Sequence, residues 1–381
     1  MSERKRVLIA MSGGVDSSTV CMLLQEQGYE IEGITMRMWD APKNFEKYGE
    51  SLPDYIIDAQ NLAKKLNFPH HILDIRDDFK TTVVDYFANE YLNGRTPNPC
   101  VVCNRHIKWK YLAEEAQRHN CQYIATGHYA KILHENGHAY IGRGIDRRKD
   151  QSYFLWDVSP EILEMAIMPL GDMTKDETKE EATSKGFESL AKKKESMEVC
   201  FVDDDYRDFL RQHYSDKLAA IGKGHFVDEE GKKLGEQEGY PFYTIGQRKG
   251  LGIALGHPAY VTKINQKKNT VMLGDKSMLE TKEMLVENYQ IINRADFENP
   301  DHVIETQIRY KSHSQRAKIE FVDDEYLIVR FDEPVSAVTP GQSAAFYIGE
   351  RLLGGGVIAD PKALKKAKKW LKKGKEEKEE I

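Results

Sequence analysis

One stretch constrains this chain more than any other: Val7-Leu8-Ile9-Ala10-Met11-Ser12-Gly13-Gly14-Val15-Asp16-Ser17-Ser18. Val7 to Met11 is an apolar run of strand length. It breaks at Ser12-Gly13-Gly14, and from Ser17 onward Val20, Leu23 and Leu24 recur at helical spacing. A strand that turns through glycines into a helix start is an anion site. The glycines let backbone N–H groups come close, and the helix N-terminus adds roughly half a positive charge. Ser12, Ser17 and Ser18 add hydroxyl donors. Asp16 is the odd member, since a carboxylate repels a phosphate. It makes sense when a divalent ion such as Mg²⁺ is shared between the carboxylate and phosphate oxygens.

No Gly-Lys-Ser/Thr follows, so the loop is not a Walker A motif. Ser-Gly-Gly-Val-Asp-Ser-Ser resembles instead the pyrophosphate loop of the ATP pyrophosphatases. Those enzymes cleave ATP between its α and β phosphates and adenylate a carbonyl oxygen.

From Lys5 to about Ala130, strand and helix patterns alternate. Strands are expected at Ile31 to Met38, His70 to Ile75 and Tyr123 to Thr126, with helices at Asp54 to Leu66, through Val83 and Phe87, and at Arg105 to Arg118. Such alternation predicts an α/β fold with a doubly wound parallel sheet and nucleotide at the carboxyl ends of the strands. Trp39 to Pro53 reads as an irregular insertion, a loop over the site. Asn136-Gly137 inside Lys131 to Ile145 signals a hairpin, followed by the basic loop Arg147-Arg148-Lys149-Asp150-Gln151. Thr174 to Lys185 reads as a helix, and the lysine-rich run Lys192-Lys193-Lys194 precedes Met197-Glu198-Val199-Cys200-Phe201. After Tyr206 glycines become dense and short strands take over, Tyr240 to Ile245 among them. Glu305 to Tyr310, Ala317 to Phe321 and Tyr326 to Phe331 read as strands of a β-barrel, with Pro340-Gly341-Gln342-Ser343 as a turn. The expected division is 1–205 for the nucleotide domain, 206–279 for a small β-rich central domain, 280–360 for a C-terminal β-barrel and 361–381 for a charged tail. Leu364, Ala367, Trp370 and Leu371 offer that tail an apolar face, but its lysines and glutamates favour a frayed, solvated helix.

With 381 residues, 40% hydrophobic and 30% charged, the chain has material for several cores. It has no apolar run of the ~18 residues a membrane helix needs. The six residues before the first strand leave no room for a signal peptide, so the expected compartment is the cytoplasm. A net charge of −6 argues against a uniformly basic nucleic-acid binder but leaves room for a local basic face. In the cytoplasm five cysteines are expected as thiols, ligands or catalysts rather than structural disulfides. Cys21 and Cys121 read as small buried hydrophobes.

The second informative stretch is Gly94-Arg95-Thr96-Pro97-Asn98-Pro99-Cys100-Val101-Val102-Cys103-Asn104-Arg105. Two prolines stiffen a loop that leads to a helix start. There the dipole, Arg105 and Lys108 would favour a thiolate at Cys103, able to attack or to relay sulfur. Cys100-x-x-Cys103 taken alone suits a redox pair or half a zinc site equally, with no second pair to complete a Cys₄ site. Cys200 carries little local signal.

Taken together with Ala125-Thr126-Gly127-His128-Tyr129-Ala130, Lys149 to Leu155, Val199-Cys200-Phe201 and Gly246-Gln247-Arg248-Lys249-Gly250-Leu251-Gly252, these collinear stretches resemble the tRNA-specific 2-thiouridylase family along nearly the whole chain. The resemblance implies a HUP-like ATP-pyrophosphatase domain, tRNA as substrate and an upstream persulfide-donating protein, with neither membrane nor DNA as partner. ATP would contact Ala10, Met11, Ser12, Gly13, Gly14, Val15, Asp16 and Ser17, with Met36 and Gly127 near the adenosine. Cys103 would be the nucleophile and Cys200 the persulfide carrier, forming a transient Cys103–Cys200 disulfide. Asn98 and Pro99 would lie against the target base, and Lys149, Asp150, Gln151, Arg309 and Tyr310 would touch tRNA. Many members carry Asp where this chain has Cys100, so that acid/base assignment does not transfer directly. Three thiols at Cys100, Cys103 and Cys200 also suit a [4Fe–4S] cluster with one open iron, the alternative to a persulfide relay. The rival readings are an ATP pyrophosphatase acting on a small carbonyl, which needs neither Cys103, Cys200 nor a β-rich half, and a non-catalytic RNA-binding protein.

Overall fold

A computed structural model describes residues 5–40, 52–192, 199–202 and 205–379, without the side chains of 370 and 372–379. The chain separates into two compact units. One takes Met1–Val84, Pro99–Asp203 and Glu350–Leu353; the other takes Asp85–Asn98, Asp204–Gly349 and Gly354–Ile381.

The first unit begins with β1 (Arg6–Ala10), α1 (Val15–Glu26), β2 (Glu30–Arg37), α2 (Asp54–Leu66) and β3 (His70–Asp74). It continues through α3 (Pro99–Cys103), α4 (Lys110–Arg118), β4 (Tyr123–Ala125), the hairpin β5 (Ala130–Glu135) and β6 (His138–Arg143), β7 (Ala166–Ile167) and α5 (Lys175–Ser184). The sheet runs β3-β2-β1-β4-β7 with every pairing parallel. Val7, Leu8 and Ile9 of β1 are completely buried, as a central strand covered on both faces requires. Strand order departs in both directions from β1, so the crevice between the carboxyl ends of β1 and β4 is the topological switch point where such sheets hold ligands.

Local chemistry explains the details. Asn136 and Gly137 both take positive φ, the type I′ turn that matches strand twist. Thr174 and Glu177 form a reciprocal capping box that starts α5. The helix expected to start at Arg105 starts earlier, at Pro99, and runs through a wide π-type turn at Asn104–Trp109 into α4. Proline is pre-set for a first helical position and lacks only an N–H that would be orphaned there. Most of the expected insertion, 41–51, lies outside the described residues, as do 193–198.

The second unit contains a four-stranded sheet in the order β10-β11-β8-β9, from β8 (Gly224–Val227), β9 (Lys233–Gln237), β10 (Tyr260–Asn265) and β11 (Thr270–Gly274). Tyr240 to Ile245 is not a strand: Tyr240–Phe242 forms a 3₁₀ turn. Pro241 cannot donate to a ladder, and the Tyr240 hydroxyl is drawn to the Leu92 carbonyl at 2.5 Å. Six further strands close on themselves: β12 (Glu280–Ile291), β13 (Glu305–Gln307), β14 (Gln315–Phe321), β15 (Tyr326–Ser336), β16 (Ser343–Ile348) and β17 (Arg351–Ile358). The ring order is β12-β15-β14-β13-β16-β17 and back to β12. The chain ends in α6 (Pro361–Glu379). This tail is not the frayed, solvated helix its charge suggested. Ala367 is 1% exposed and packs with Leu285, Ile328 and Ala359, and Leu364 and Leu371 flank it. An apolar stripe this narrow still docks a helix whose remaining residues are charged.

Candidate active site

The glycine loop lies at the switch point. Gly13 has φ +67°, and a Cβ there would come within 2.2 Å of the Tyr55 carbonyl oxygen, so only glycine fits. Ser17 Oγ reaches back to the backbone N–H of Ser12 at 3.1 Å and lies 3.3 Å from Ser12 Oγ. Ala10 ends β1, Met11 bonds through its N–H to the Ile34 carbonyl, and Gly14 and Val15 open α1. Gly127 follows β4, where a Cβ would stand 3.1 Å from both Asp16 Cβ and the Ser17 backbone nitrogen. That missing methyl keeps open the space over the first turn of α1. Met36 is buried near the carboxyl end of β2. The residues expected around ATP therefore share one edge of one sheet, and the open cradle over a helix N-terminus fits a nucleotide's phosphates.

Asp16 has partners its sequence neighbourhood does not reveal. Lys175 Nζ lies 2.6 and 2.9 Å from its two carboxylate oxygens, and the Tyr129 hydroxyl donates to Oδ1 at 2.8 Å. The Lys175 side chain is 6% exposed, that of Asp16 34%. Lys175 is the first residue of α5, so the capping box that starts this helix also aims an ammonium at the glycine loop.

The second group is built around Lys108. Its ammonium lies within electrostatic reach of Cys103, Cys200 and Cys100; burial alone would lower its pKa, but the three sulfurs together raise it. Cys103 is buried, and burial pushes its thiol up to about 12 even though Lys108 pulls the other way. Burial thus outweighs the neighbouring charges that would favour a ready thiolate at Cys103. Cys103 sits at the fifth residue of α3 rather than at its N-terminus, and Arg105 turns away to bond Asp157 at 2.8 Å. Burial also raises the thiols of Cys100 and of Cys200, which is exposed but closely surrounded. Phe201 fixes the Cys200 segment through edge-on contacts with Phe79 and Trp39, at centroid distances of 5.7 and 6.3 Å. All five cysteines are free thiols. Behind Lys108, His128 stacks on Trp109; burial and the lysine charge push its pKa down to about 3, so it is a neutral imidazole.

Other expected contact residues are committed internally. Asp150 accepts from the backbone N–H groups of Gly144 and Ser152 and from the Ser152 hydroxyl. Gln151 accepts from the Tyr129 N–H. Asn98, in the second unit, is buried and donates to Ser343 Oγ at 3.0 Å, while Pro99 is the buried first residue of α3 in the first unit. Lys149 belongs to the first unit and Arg309 and Tyr310 to the second. Arg309 is exposed and donates to the Ala337 carbonyl at 3.2 Å. Lys175 and Tyr129 are the functional candidates that sequence reasoning missed. Neither is singled out by local pattern, because each meets Asp16 across more than a hundred residues.

Three family models match in series: the tRNA methyl transferase HUP domain over residues 5–204, its PRC-barrel domain over 207–275 and the aminomethyltransferase beta-barrel domain over 281–358. The tRNA-specific 2-thiouridylase MnmA 3 of Phocaeicola vulgatus is 49% identical over 95% of this chain and 96% of its own length. The MnmA proteins of Amoebophilus asiaticus and Carboxydothermus hydrogenoformans are 48% and 43% identical, each over 93% of this chain and 96% and 98% of their own lengths. With that identity along nearly its whole length, the chain belongs to the tRNA-specific 2-thiouridylase MnmA family.

Proposed function

We propose that this chain is an ATP-dependent tRNA-uridine 2-sulfurtransferase that thiolates C2 of the wobble uridine, position 34. The observation that carries the reading is the joint presence, in one unit, of the switch-point glycine cradle and three thiols within electrostatic reach of Lys108. A uridine C2 oxygen is a poor leaving group. Attack of that oxygen on the α-phosphorus of ATP expels pyrophosphate and makes AMP the leaving group. The terminal sulfur of a Cys200 persulfide then attacks C2 and AMP departs, leaving a C2–S–S–Cys200 linkage. Attack of Cys103 on Cys200 Sγ releases the 2-thiouridine and closes a Cys103–Cys200 disulfide, which an external thiol reduces.

The residues divide this work. The cradle N–H groups and the Ser12 and Ser17 hydroxyls hold phosphate oxygens, and Lys175 balances Asp16. Lys108 supports thiolate character in a pocket whose burial otherwise opposes it. Asp16 is a third exposed beside the glycine cradle, which fits one Mg²⁺ position next to the phosphates. When bound, that ion would neutralise phosphate charge. Arg309, Tyr310 and the Arg147 to Gln151 loop are assigned to tRNA; Asn98 and Pro99 would flank the extruded base. A persulfide-carrying donor protein loads Cys200, and the compartment is the cytoplasm. No helix among the described residues is long and apolar enough to cross a membrane. The family-model ranges support the division at about residues 205 and 280.

Nucleoside mass spectrometry of tRNA from a strain lacking the protein tests the reading: 2-thiouridine is lost, and Cys103→Ser and Cys200→Ser variants fail to restore it. Undiminished 2-thiouridine refutes it. Because Cys100 is coupled to the same lysine, a [4Fe–4S] cluster on the three thiols is the second reading. Stoichiometric iron after anaerobic purification, lost in Cys100→Ser together with thiolation, would replace the relay by the cluster.

A further inference from the structure

At the other end of the parallel sheet, away from the glycine loop, two histidines converge on one buried carboxylate. Glu32 is the third residue of β2 and His71 the second of β3. Register places His71 beside Ile34, so Glu32 and His71 share a face. His119 follows the last turn of α4 on that face. Glu32 Oε2 lies 3.0 Å from His71 Nε2 and 3.1 Å from His119 Nδ1, and the three ligand atoms fall within 4.8 Å of one another.

The surroundings are built as a metal's outer shell is built. Arg6 donates to the other oxygen of Glu32 and fixes its plane, and it also donates to the His119 carbonyl at 2.9 Å. The second ring nitrogen of His119, Nε2, lies 3.7 Å from the buried Glu115 carboxylate, beyond hydrogen-bond length but close enough for that charge to favour a metal-bound ring. Arg118 holds Glu115. Three carboxylates, of Glu30, Glu32 and Glu115, thus meet two guanidiniums, of Arg6 and Arg118.

We propose that Glu32, His71 and His119 bind a divalent transition-metal ion of the zinc class, which staples β2, β3 and the end of α4. Two imidazoles and a carboxylate suit zinc, cobalt or nickel, whereas magnesium and calcium prefer all-oxygen shells. An ion about 2.0–2.1 Å from each ligand sets neighbouring ligand atoms roughly 3.0–3.4 Å apart; the two Glu32-to-imidazole distances already match, and the two ring nitrogens lie within 4.8 Å of each other. His71 and His119 are 35% and 25% exposed, so a water completes the shell from solvent. The site is distinct from Cys100, Cys103 and Cys200 and from the glycine loop; Cys121 stands beside it, its Sγ 3.8 Å from the His119 carbonyl, and the metal stabilises rather than reacts.

The test uses the full chain stripped with a chelator and titrated with Co²⁺, then with Zn²⁺. The expected wild-type signature is visible d–d absorption without the near-ultraviolet band of sulfur-to-cobalt charge transfer. Zn²⁺ at about 100 times its Kd should raise the melting temperature of the first unit by about 5–10 °C. His71→Asn and His119→Asn should abolish both effects, the zinc-induced shift being read against each variant's own metal-free melting temperature. Glu115→Gln should weaken binding roughly 10- to 100-fold. Wild-type protein that shows no sulfur-free cobalt spectrum overturns the proposal without any variant. So does a zinc-induced shift that survives in both histidine variants, which would assign the metal to the cysteines.

Discussion

Lys175 and Asp16 form an ion pair whose two members are unequally buried, and that inequality makes a quantitative test. Asp16→Asn leaves an ammonium that is 6% exposed with its charge partner gone. It should cost nearly the full 3–5 kcal/mol typical of breaking a buried pair. Lys175→Met instead leaves a carboxylate that is 34% exposed and keeps the Tyr129 hydroxyl. Solvent screens that charge, so the cost falls to about 2–3 kcal/mol. For a unit of this size each kcal/mol moves the melting temperature by about 2–4 °C, giving a loss of roughly 4–12 °C for Lys175→Met and more for Asp16→Asn. The double variant buries no unpaired charge. It should therefore be more stable than the sum of the single losses allows, with a coupling energy of about 2 kcal/mol or more. Thermal and urea unfolding of the four proteins measure this cycle, and tRNA-dependent ATP–pyrophosphate exchange is followed alongside. Exchange should stay absent in the double variant although its fold recovers, because Asp16 serves the phosphates as well as Lys175. A coupling below about 0.5 kcal/mol, or Lys175→Met costing more than Asp16→Asn, would refute the reasoning.

Gly13→Ala should destabilise the first unit by about 2–4 kcal/mol and abolish exchange, since φ +67° and a Cβ 2.2 Å from a backbone oxygen are both unfavourable for alanine; a melting temperature within a degree of wild type would contradict the geometry. Iodoacetamide at pH 8 should label exposed Cys200 well before Cys103, whose pKa near 12 leaves roughly one thiolate in ten thousand, and peptide mass spectrometry reads the order. Because that folded pKa lies above the unfolded value of 9.0, the protonated thiol contributes stability that is present below pH 9 and lost as pH rises toward 12; Cys103→Ala should flatten alkaline unfolding in that window. Ala367→Glu should lower the stability of the second unit by about 2–4 kcal/mol, because it places a charge among Leu285, Ile328 and Ala359; a change under about 0.5 kcal/mol would mean that the helix is not docked.

Whatever is written within a few residues or in a repeating pattern is legible in the chain. The strand–glycine–helix start, the α/β alternation, the Asn136-Gly137 hairpin and the β-rich C-terminal half are local in this sense, since backbone sterics and apolar periodicity act at short range. Tyr240–Phe242 alternates as a strand does, but Pro241 and the distant Leu92 carbonyl decide otherwise. The tail's total charge points to solvent, whereas docking depends on the one stripe that carries Ala367. Only the tertiary structure could set the charge state of Cys103. Its neighbours in sequence suggested a thiolate, but desolvation depends on what packs around a sulfur, and burial outweighs Lys108. The same holds for Lys175 on Asp16, 159 residues apart, and for His71 and His119 on Glu32. Coulomb and desolvation energies depend on distance in space, and chain folding sets that distance without leaving a local trace in the sequence.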